Sequence, residues 1–142
     1  MVSPFWRVWF YGWCVSMLGF AVVMAVGALD GFDAPFRILM ALLNFGEPVP
    51  ITPVLRFVSG ILGGVLLGWI VALSLTLRVA MAMGHAGRPL WLACTLGLIA
   101  WYALDSTLSV ATGFGLNVVP NTLALGMFLI GIAGSKVLTR EA

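Results

Sequence analysis

Charged side chains are scarce in this chain. Seven Lys and Arg and five Asp and Glu make up 8% of its 142 residues, whereas a soluble domain has roughly 25%. Hydrophobic residues account for 62%, and a water-soluble fold of this size needs more polar side chain to cover its surface. The composition therefore excludes a soluble domain, a disordered chain and a nucleic-acid-binding protein. It predicts an integral membrane protein.

Metal-binding and redox-active side chains are equally rare. The single histidine, His85, cannot supply a bis-histidine haem site, and no Cys/His cluster has the form of a zinc site. Cys14 and Cys94 both fall in apolar runs, so we interpret them as small buried hydrophobic residues rather than a disulfide. No serine or cysteine has a plausible base beside it. We expect no cofactor and no metal, and the sequence favours a protein that is not an enzyme.

Long apolar runs are what the sequence does contain. A membrane-spanning helix needs roughly 20 apolar residues. Four segments qualify, at about 8–29, 57–77, 89–112 and 118–135. Pro89 and Pro120 suit the first turns of the last two helices, and Asn117 can cap the fourth. The predicted fold is one all-α domain over residues 1–142, an integral membrane four-helix bundle whose last two spans form a tight antiparallel hairpin.

The first apolar run has a second interpretation. Arg7 precedes it, and the small residues at 26–28 resemble a signal-peptide cleavage site. The run is longer than the usual signal core, however, and it opens with Trp6, Trp9 and Trp13, which are typical of a membrane interface. We favour a retained helix over a cleaved signal.

The basic residues predict the orientation, because cytoplasmic loops are enriched in Lys and Arg. With the N-terminus inside, five basic residues are cytoplasmic and two are outside. The inner set is Arg7, Arg78, Arg88, Lys136 and Arg140, and the outer set is Arg37 and Arg56. We expect a multi-pass protein of a bacterial inner (cytoplasmic) membrane with both termini in the cytoplasm.

The outer segment between the first two spans contains a short helix of its own. Asp33 can cap a helix that begins at residues 34–35, runs to about residue 45 and is ended by Gly46. This helix is too short to span, so it predicts an interfacial or re-entrant segment over the outer end of the bundle. It is either a lid on the bundle or one wall of a binding cleft.

Glycines repeat on one side of the second span. Gly60, Gly64 and Gly68 are spaced by four residues, with Gly63 beside them, and Gly97 belongs to a similar row in the third span. Such rows allow two helix backbones to approach closely in lipid. The partner helix is expected within the chain, so that Gly64→Leu would separate the helices. The same rows are compatible with a homo-oligomer or a larger membrane complex.

One carboxylate lies alone inside a span. Asp105 falls in the outer part of the third helix. Placing a charged side chain in the membrane costs free energy, so we expect Asp105 to face the bundle or the outer vestibule. The residues expected to form a polar patch with it are Ser106, Ser109, Thr112, Asn117, Asn121 and Thr122. Arg56 is the best candidate counter-ion, followed by Arg37. Asp105 either fixes the order of the helices through an ion pair or hydrogen bonds, or binds a ligand, a cation or a proton.

Two patterns resemble a group of small bacterial integral membrane proteins with four predicted helices. They are Gly60-x-x-Gly63-x-x-x-x-Gly68-Trp69 and Trp101-x-x-x-Asp105-Ser106-x-x-Ser109-x-x-x-Gly113-x-x-x-Asn117-x-x-x-Asn121-Thr122. The resemblance implies a bacterial inner membrane and no particular activity.

Two functions follow from these sequence features. The first is a non-enzymatic accessory, assembly or interaction subunit. The alternative is a small-molecule or ion/proton carrier that acts as an oligomer and uses Asp105. In both cases the expected surroundings are the lipid bilayer and not nucleic acid.

Overall fold

The chain folds entirely into helices in the computed structural model, which describes residues 2–139. The helices are α1 Pro4–Val26, α2 Ala34–Leu43, α3 Pro53–Met83, α4 Arg88–Ala111 and α5 Val118–Ser135. Short 3-10 turns, Gly84–Gly87 and Gly115–Asn117, precede α4 and α5. The described part has no strand, which agrees with the all-α prediction. Arg140, which was assigned to the cytoplasmic side, lies outside the described residues.

The four longer helices pack as a ring in chain order, with α5 returning to α1. Neighbouring helices run antiparallel: the start of α3 lies against the end of α1, where a Cβ on Gly63 would overlap Ala25. A Cβ on Gly134 of α5 would likewise overlap the ring of Trp6 at the start of α1. We call the end that carries α2 the α2 end, and the end that carries the Gly84–Gly87 turn the Gly84 end.

Three continuous helical segments are long and apolar enough to cross a membrane. They are Pro4–Val26, Pro53–Ala111 and Gly115–Ser135. The second segment contains both α3 and α4, because the Gly84–Gly87 turn joins them without a break in helical structure. The rings of Trp69 and Trp101 lie 6.2 Å apart across these two helices, so α3 and α4 form an antiparallel pair. This composition and length suggest association with a membrane.

The helices differ in extent from the predicted spans. Helix α3 begins before residue 57 and continues past Arg78 to Met83. Charge marks where a helix leaves a membrane but does not end the helix, since arginine is a good helix former. At 31 residues, α3 is about 46 Å long, which exceeds the roughly 30 Å hydrocarbon core of a bilayer. Helix α1 ends at Val26 rather than near residue 29.

Aromatic rings form the centre of the bundle. Phe10 of α1 lies 4.9 Å from Trp91 of α4 and 5.6 Å from Phe128 of α5, measured between ring centroids. These three side chains are fully buried. They join three helices in one cluster and so fix the positions of α1, α4 and α5 relative to one another. Cys14 and Cys94 are buried free thiols.

Helix α2 lies across the end of the bundle. It contacts α1 and the Gly115–Asn117 turn, and its fully buried Phe36 rests on Gly27, where a Cβ would overlap the ring. The helix ends at Leu43, two residues earlier than predicted. The N–H of Gly46 then donates to the carbonyl of Ala41 at 2.8 Å, with a φ of 92° at Gly46. This bond closes the helix as in a Schellman turn, but Phe45, with a φ of 56°, takes the left-handed position that glycine usually occupies.

Candidate functional site

Asp105 lies in the half of α4 nearest the α2 end, facing the start of α5. Its side chain is half-buried. One carboxylate oxygen, Oδ2, accepts a hydrogen bond from Nδ2 of Asn117 at 3.0 Å and another from Nδ2 of Asn121. Asp105 is therefore held by two amides from the neighbouring helix and the turn that precedes it.

Two serines complete this network. Asn117 Nδ2 also donates to Ser109 Oγ at 2.9 Å, and Asn121 Nδ2 donates to Ser106 Oγ at 3.2 Å. Ser106, Ser109 and Asn121 are buried. We call these five residues the Asp105 cluster. All five were predicted to form one polar patch, and the structure brings them together.

The cluster has a definite hydrogen-bond polarity. Oδ2 of Asp105 accepts from both amide groups, which turn their Nδ2 donors toward it. The Oδ1 oxygens of Asn117 and Asn121 then have no hydrogen-bond donor among residues 2–139. The cluster consequently has unused acceptors beside a carboxylate.

Thr112 and Thr122 lie outside this network. The Thr112 hydroxyl donates to the carbonyl of Leu108 at 2.8 Å, within its own helix. Thr122 pairs with the Tyr102 hydroxyl at 3.1 Å. Asn117 occupies the N-cap position of α5, but its side chain makes no capping bond. The predicted cap is wrong because the amide donates to Asp105 and Ser109 instead.

Arg56 does not reach Asp105. Its guanidinium pairs with Asp30 Oδ1 at 2.9 Å and with Asp33 Oδ2 at 2.8 Å, and it donates to the carbonyl of Gly27 at 3.4 Å. The start of α3 packs on the end of α1, so the carboxylates after α1 are the nearer partners. Within the described chain, no Lys or Arg nitrogen lies within 4.0 Å of the Asp105 carboxylate.

Asp33 carries the ion pairs at this end. It is buried at the N-cap of α2 and makes no side-chain capping bond. Its Oδ2 lies 2.8 Å from nitrogens of both Arg37 and Arg56. The Arg37 guanidinium beside it, together with the positive charge of Arg56, lowers the pKa of Asp33. Arg37, the second candidate counter-ion for Asp105, is thereby also engaged elsewhere.

A cavity of about 240 Å³ adjoins the Asp105 cluster. Asn117 and Asn121 form its polar end, and Trp13, Met17, Phe20 and Trp101 are among its apolar lining. Helix α2 contributes no residue to the lining of this cavity.

The aromatic lining was missed as part of a site. A signal was present in the spacing, since Trp101 precedes Asp105 by one helical turn and Trp13, Met17 and Phe20 follow a single helix face. From the sequence, Trp13 is interpreted as a residue of the membrane interface. That interpretation does not distinguish a cavity wall from a packed core.

Two indole groups fix the wall that α1 and α5 share. Trp13 Nε1 donates to the carbonyl of Ala124 at 2.8 Å, and Trp9 Nε1 donates to the carbonyl of Met127 at 2.9 Å. Each bond joins side chain to backbone across the interface. These bonds hold α1 against α5 along the length of the cavity.

The predicted packing glycines divide into two groups. Gly60 and Gly63 face α1, where an added Cβ would lie within 3.0 Å of Ala28 and Ala25. At Gly64, Gly68 and Gly97 an added Cβ would meet no atom within 4 Å. Close approach of α1 and α3 therefore depends on the 60–63 pair, whereas the other three glycines form no helix contact within the described residues.

No known protein family matches this chain, and neither a curated protein nor a solved structure is similar to it. Within residues 2–139, no group of three or more His, Cys, Asp or Glu side chains is placed to hold a metal ion.

Proposed function

We propose that this chain is a membrane carrier in which Asp105 binds a small molecule or a cation. The proposal is carried by the surroundings of the Asp105 carboxylate. Neutral amides hold this carboxylate, and no basic side chain among residues 2–139 forms an ion pair with it. A charge inside an apolar span is costly, and an ion pair with Arg56 would have lowered that cost. The missing pair supports a binding role.

The geometry around Asp105 also favours binding over a purely structural role. Hydrogen bonds from Asn117 and Asn121 keep the carboxylate in one place while leaving amide oxygens unused. The adjoining cavity gives a small molecule room beside those oxygens. A polar group whose only task was to join α4 to α5 would need no cavity.

Purified protein in liposomes tests this function. Proteoliposomes with an imposed pH gradient and membrane potential are assayed for the flux of protons and of monovalent cations. We expect flux above that of empty liposomes, and Asp105→Asn should reduce it by about tenfold or more, since a charged partner contributes roughly 1.5–3 kcal/mol.

Glu47→Gln provides the matched control. Glu47 is an exposed carboxylate after α2, so the variant makes the same change of charge outside the cluster and should keep the wild-type flux. Equal flux in Asp105→Asn and wild-type protein, or no flux above that of empty liposomes, would overturn the carrier proposal.

A second function is supported by the uncovered part of α3. We also propose a non-enzymatic interaction subunit that packs against another membrane chain, or a second copy of itself, through Gly64 and Gly68. An added Cβ at either glycine meets no atom of the described chain. Small residues in such a row let a second helix approach closely.

Crosslinking in native membranes tests this interface. Gly68→Leu should remove a crosslinked complex while leaving the folded yield unchanged, because Gly68 touches no other helix of the chain. Gly97→Leu, on α4, adds the same side chain at another open glycine and should leave the complex intact. A complex that survives Gly68→Leu excludes this face.

A further inference from the structure

The cavity beside the Asp105 cluster has two chemically different parts. Asn117 and Asn121 lie at its polar end. Trp13, Phe20 and Trp101 supply aromatic rings to the remainder. A ligand that fits both parts must combine a polar group with an apolar body.

The polar end offers acceptors. The Nδ2 atoms of Asn117 and Asn121 are already used on Asp105 and the serines, which leaves the amide oxygens. Two donors in the lining are also occupied within the protein: Trp13 Nε1 donates to Ala124, and the Ser16 hydroxyl donates to the carbonyl of Trp13. The Trp101 indole N–H has no hydrogen-bond partner among residues 2–139, but the two unused amide oxygens favour a ligand whose polar group donates hydrogen bonds.

The charge around the cavity selects the sign of the ligand. Asp105 does not line the cavity itself, but it accepts hydrogen bonds from both lining amides and has no basic partner in the described chain. Tryptophan rings attract a cation within about 6 Å of the ring centroid, and Trp101 lies one helical turn before Asp105. A carboxylate or phosphate would be repelled, whereas an ammonium group would be attracted by both features.

We propose that this cavity binds a small organic ammonium ion. Its N–H groups donate to the acceptors at the Asn117–Asn121 end, and its apolar part lies among Trp13, Phe20 and Trp101. The volume of about 240 Å³ is below the usual pocket range of roughly 300–1,000 Å³, which limits the ligand to about one aromatic ring or a short alkyl chain. This inference rests on the proposed carrier function and names its substrate class.

Binding of two matched probes tests the ligand class. The full chain in phosphatidylcholine nanodiscs is titrated calorimetrically with phenethylammonium and with the neutral 2-phenylethanol, and heats from empty nanodiscs are subtracted. We expect the ammonium ion to bind about tenfold or more tightly than the alcohol. Asp105→Asn should weaken binding of the ammonium ion by a similar factor and leave the affinity for the alcohol unchanged. Glu47→Gln should alter neither affinity.

A second variant covers the case in which Asp105→Asn fails to fold. Trp101→Leu removes an aromatic face and should lower the ratio of ammonium to alcohol affinity by about threefold. Equal binding of the two probes, unaffected by either variant, would overturn the proposal in favour of an apolar site.

Absence of binding by both probes to folded protein would also overturn it. In that case an Asp105-dependent flux of protons or inorganic cations would leave the carrier function standing. Loss of both the binding and the flux would remove the carrier function as well.

Discussion

At the scale of the residue, two carboxylates at the α2 end have opposite surroundings. Asp33 lies 2.8 Å from nitrogens of both Arg37 and Arg56. Among residues 2–139, Asp105 accepts hydrogen bonds only from the neutral amides of Asn117 and Asn121. The first carboxylate is paired with arginines inside the chain, and the second has no basic partner among residues 2–139.

The stability of the protein should depend on pH through Asp33. Its pKa is lowered below the ordinary 3.8 in the folded state, so its ion pairs stabilise the fold above about pH 4 and are lost as the pH falls through the folded-state value. Thermal unfolding in detergent from pH 7 downward should show a drop in melting temperature that begins near pH 4.

Asp33→Asn is the control for this titration. The variant should melt lower than wild type at neutral pH, and the difference between the two proteins should shrink as the medium is acidified. A difference that stays constant down to pH 3 would show that the Asp33 pairs do not contribute.

The sequence predicted the members of the Asp105 cluster but not the partner of Arg56. Polar residues at helical spacing are expected to share a face, so the pattern groups Asp105 with Ser109 on α4. The short turn before α5 then brings Asn121 of the next span to the same end. The partner of Arg56 depends on how α3 is rotated against α1. That rotation follows from the packing of Ala28 and Ala25 against Gly60 and Gly63, which periodicity does not specify.

At the scale of the element, α3 has two glycine faces with different roles. Gly63 touches the backbone of Ala25, whereas the side of Gly64 is open. The sequence predicted one continuous row through Gly60, Gly64 and Gly68. The contact instead follows the 60–63 pair because α1 approaches from that side. The expectation that Gly64→Leu separates helices of this chain is therefore not supported by the structure.

Alanine at these two neighbouring positions should have different effects. Gly63→Ala forces its Cβ into the α1 backbone and should lower the free energy of unfolding by about 1–3 kcal/mol. Gly64→Ala adds a methyl group in open space and should leave it unchanged or raise it by about 0.5–1 kcal/mol. Denaturant unfolding in mixed micelles measures both, and equal losses would contradict the α1–α3 contact.

At the scale of the whole molecule, charge is divided between the two ends. The described basic residues of the Gly84 end are Arg7, Arg78, Arg88 and Lys136, and the described residues there include no carboxylate. Asp30, Asp33, Glu47 and Asp105 lie toward the α2 end, together with Arg37 and Arg56. Cytoplasmic loops are enriched in Lys and Arg, and the orientation predicted from the sequence rests on this excess of basic residues at the Gly84 end.

Cysteine labelling in whole cells tests that orientation. In a background of Cys14→Ala and Cys94→Ala, Glu47→Cys at the α2 end should react with a membrane-impermeant maleimide. His85→Cys, in the exposed turn at the Gly84 end, should react only after permeabilisation. The reverse pattern would place the Asp105 cluster on the cytoplasmic side.

The central claim is that Asp105 binds a ligand rather than stabilising the fold. The flux per folded protein of the Asp105→Asn variant tests this claim most directly. An asparagine can still accept from Asn117 and Asn121, and the weaker hydrogen bonds are offset by the lower cost of placing a neutral group in the span. We therefore predict a melting temperature within a few degrees of wild type and a flux reduced about tenfold. A variant that melts far below wild type, or one that keeps full flux, would contradict the claim.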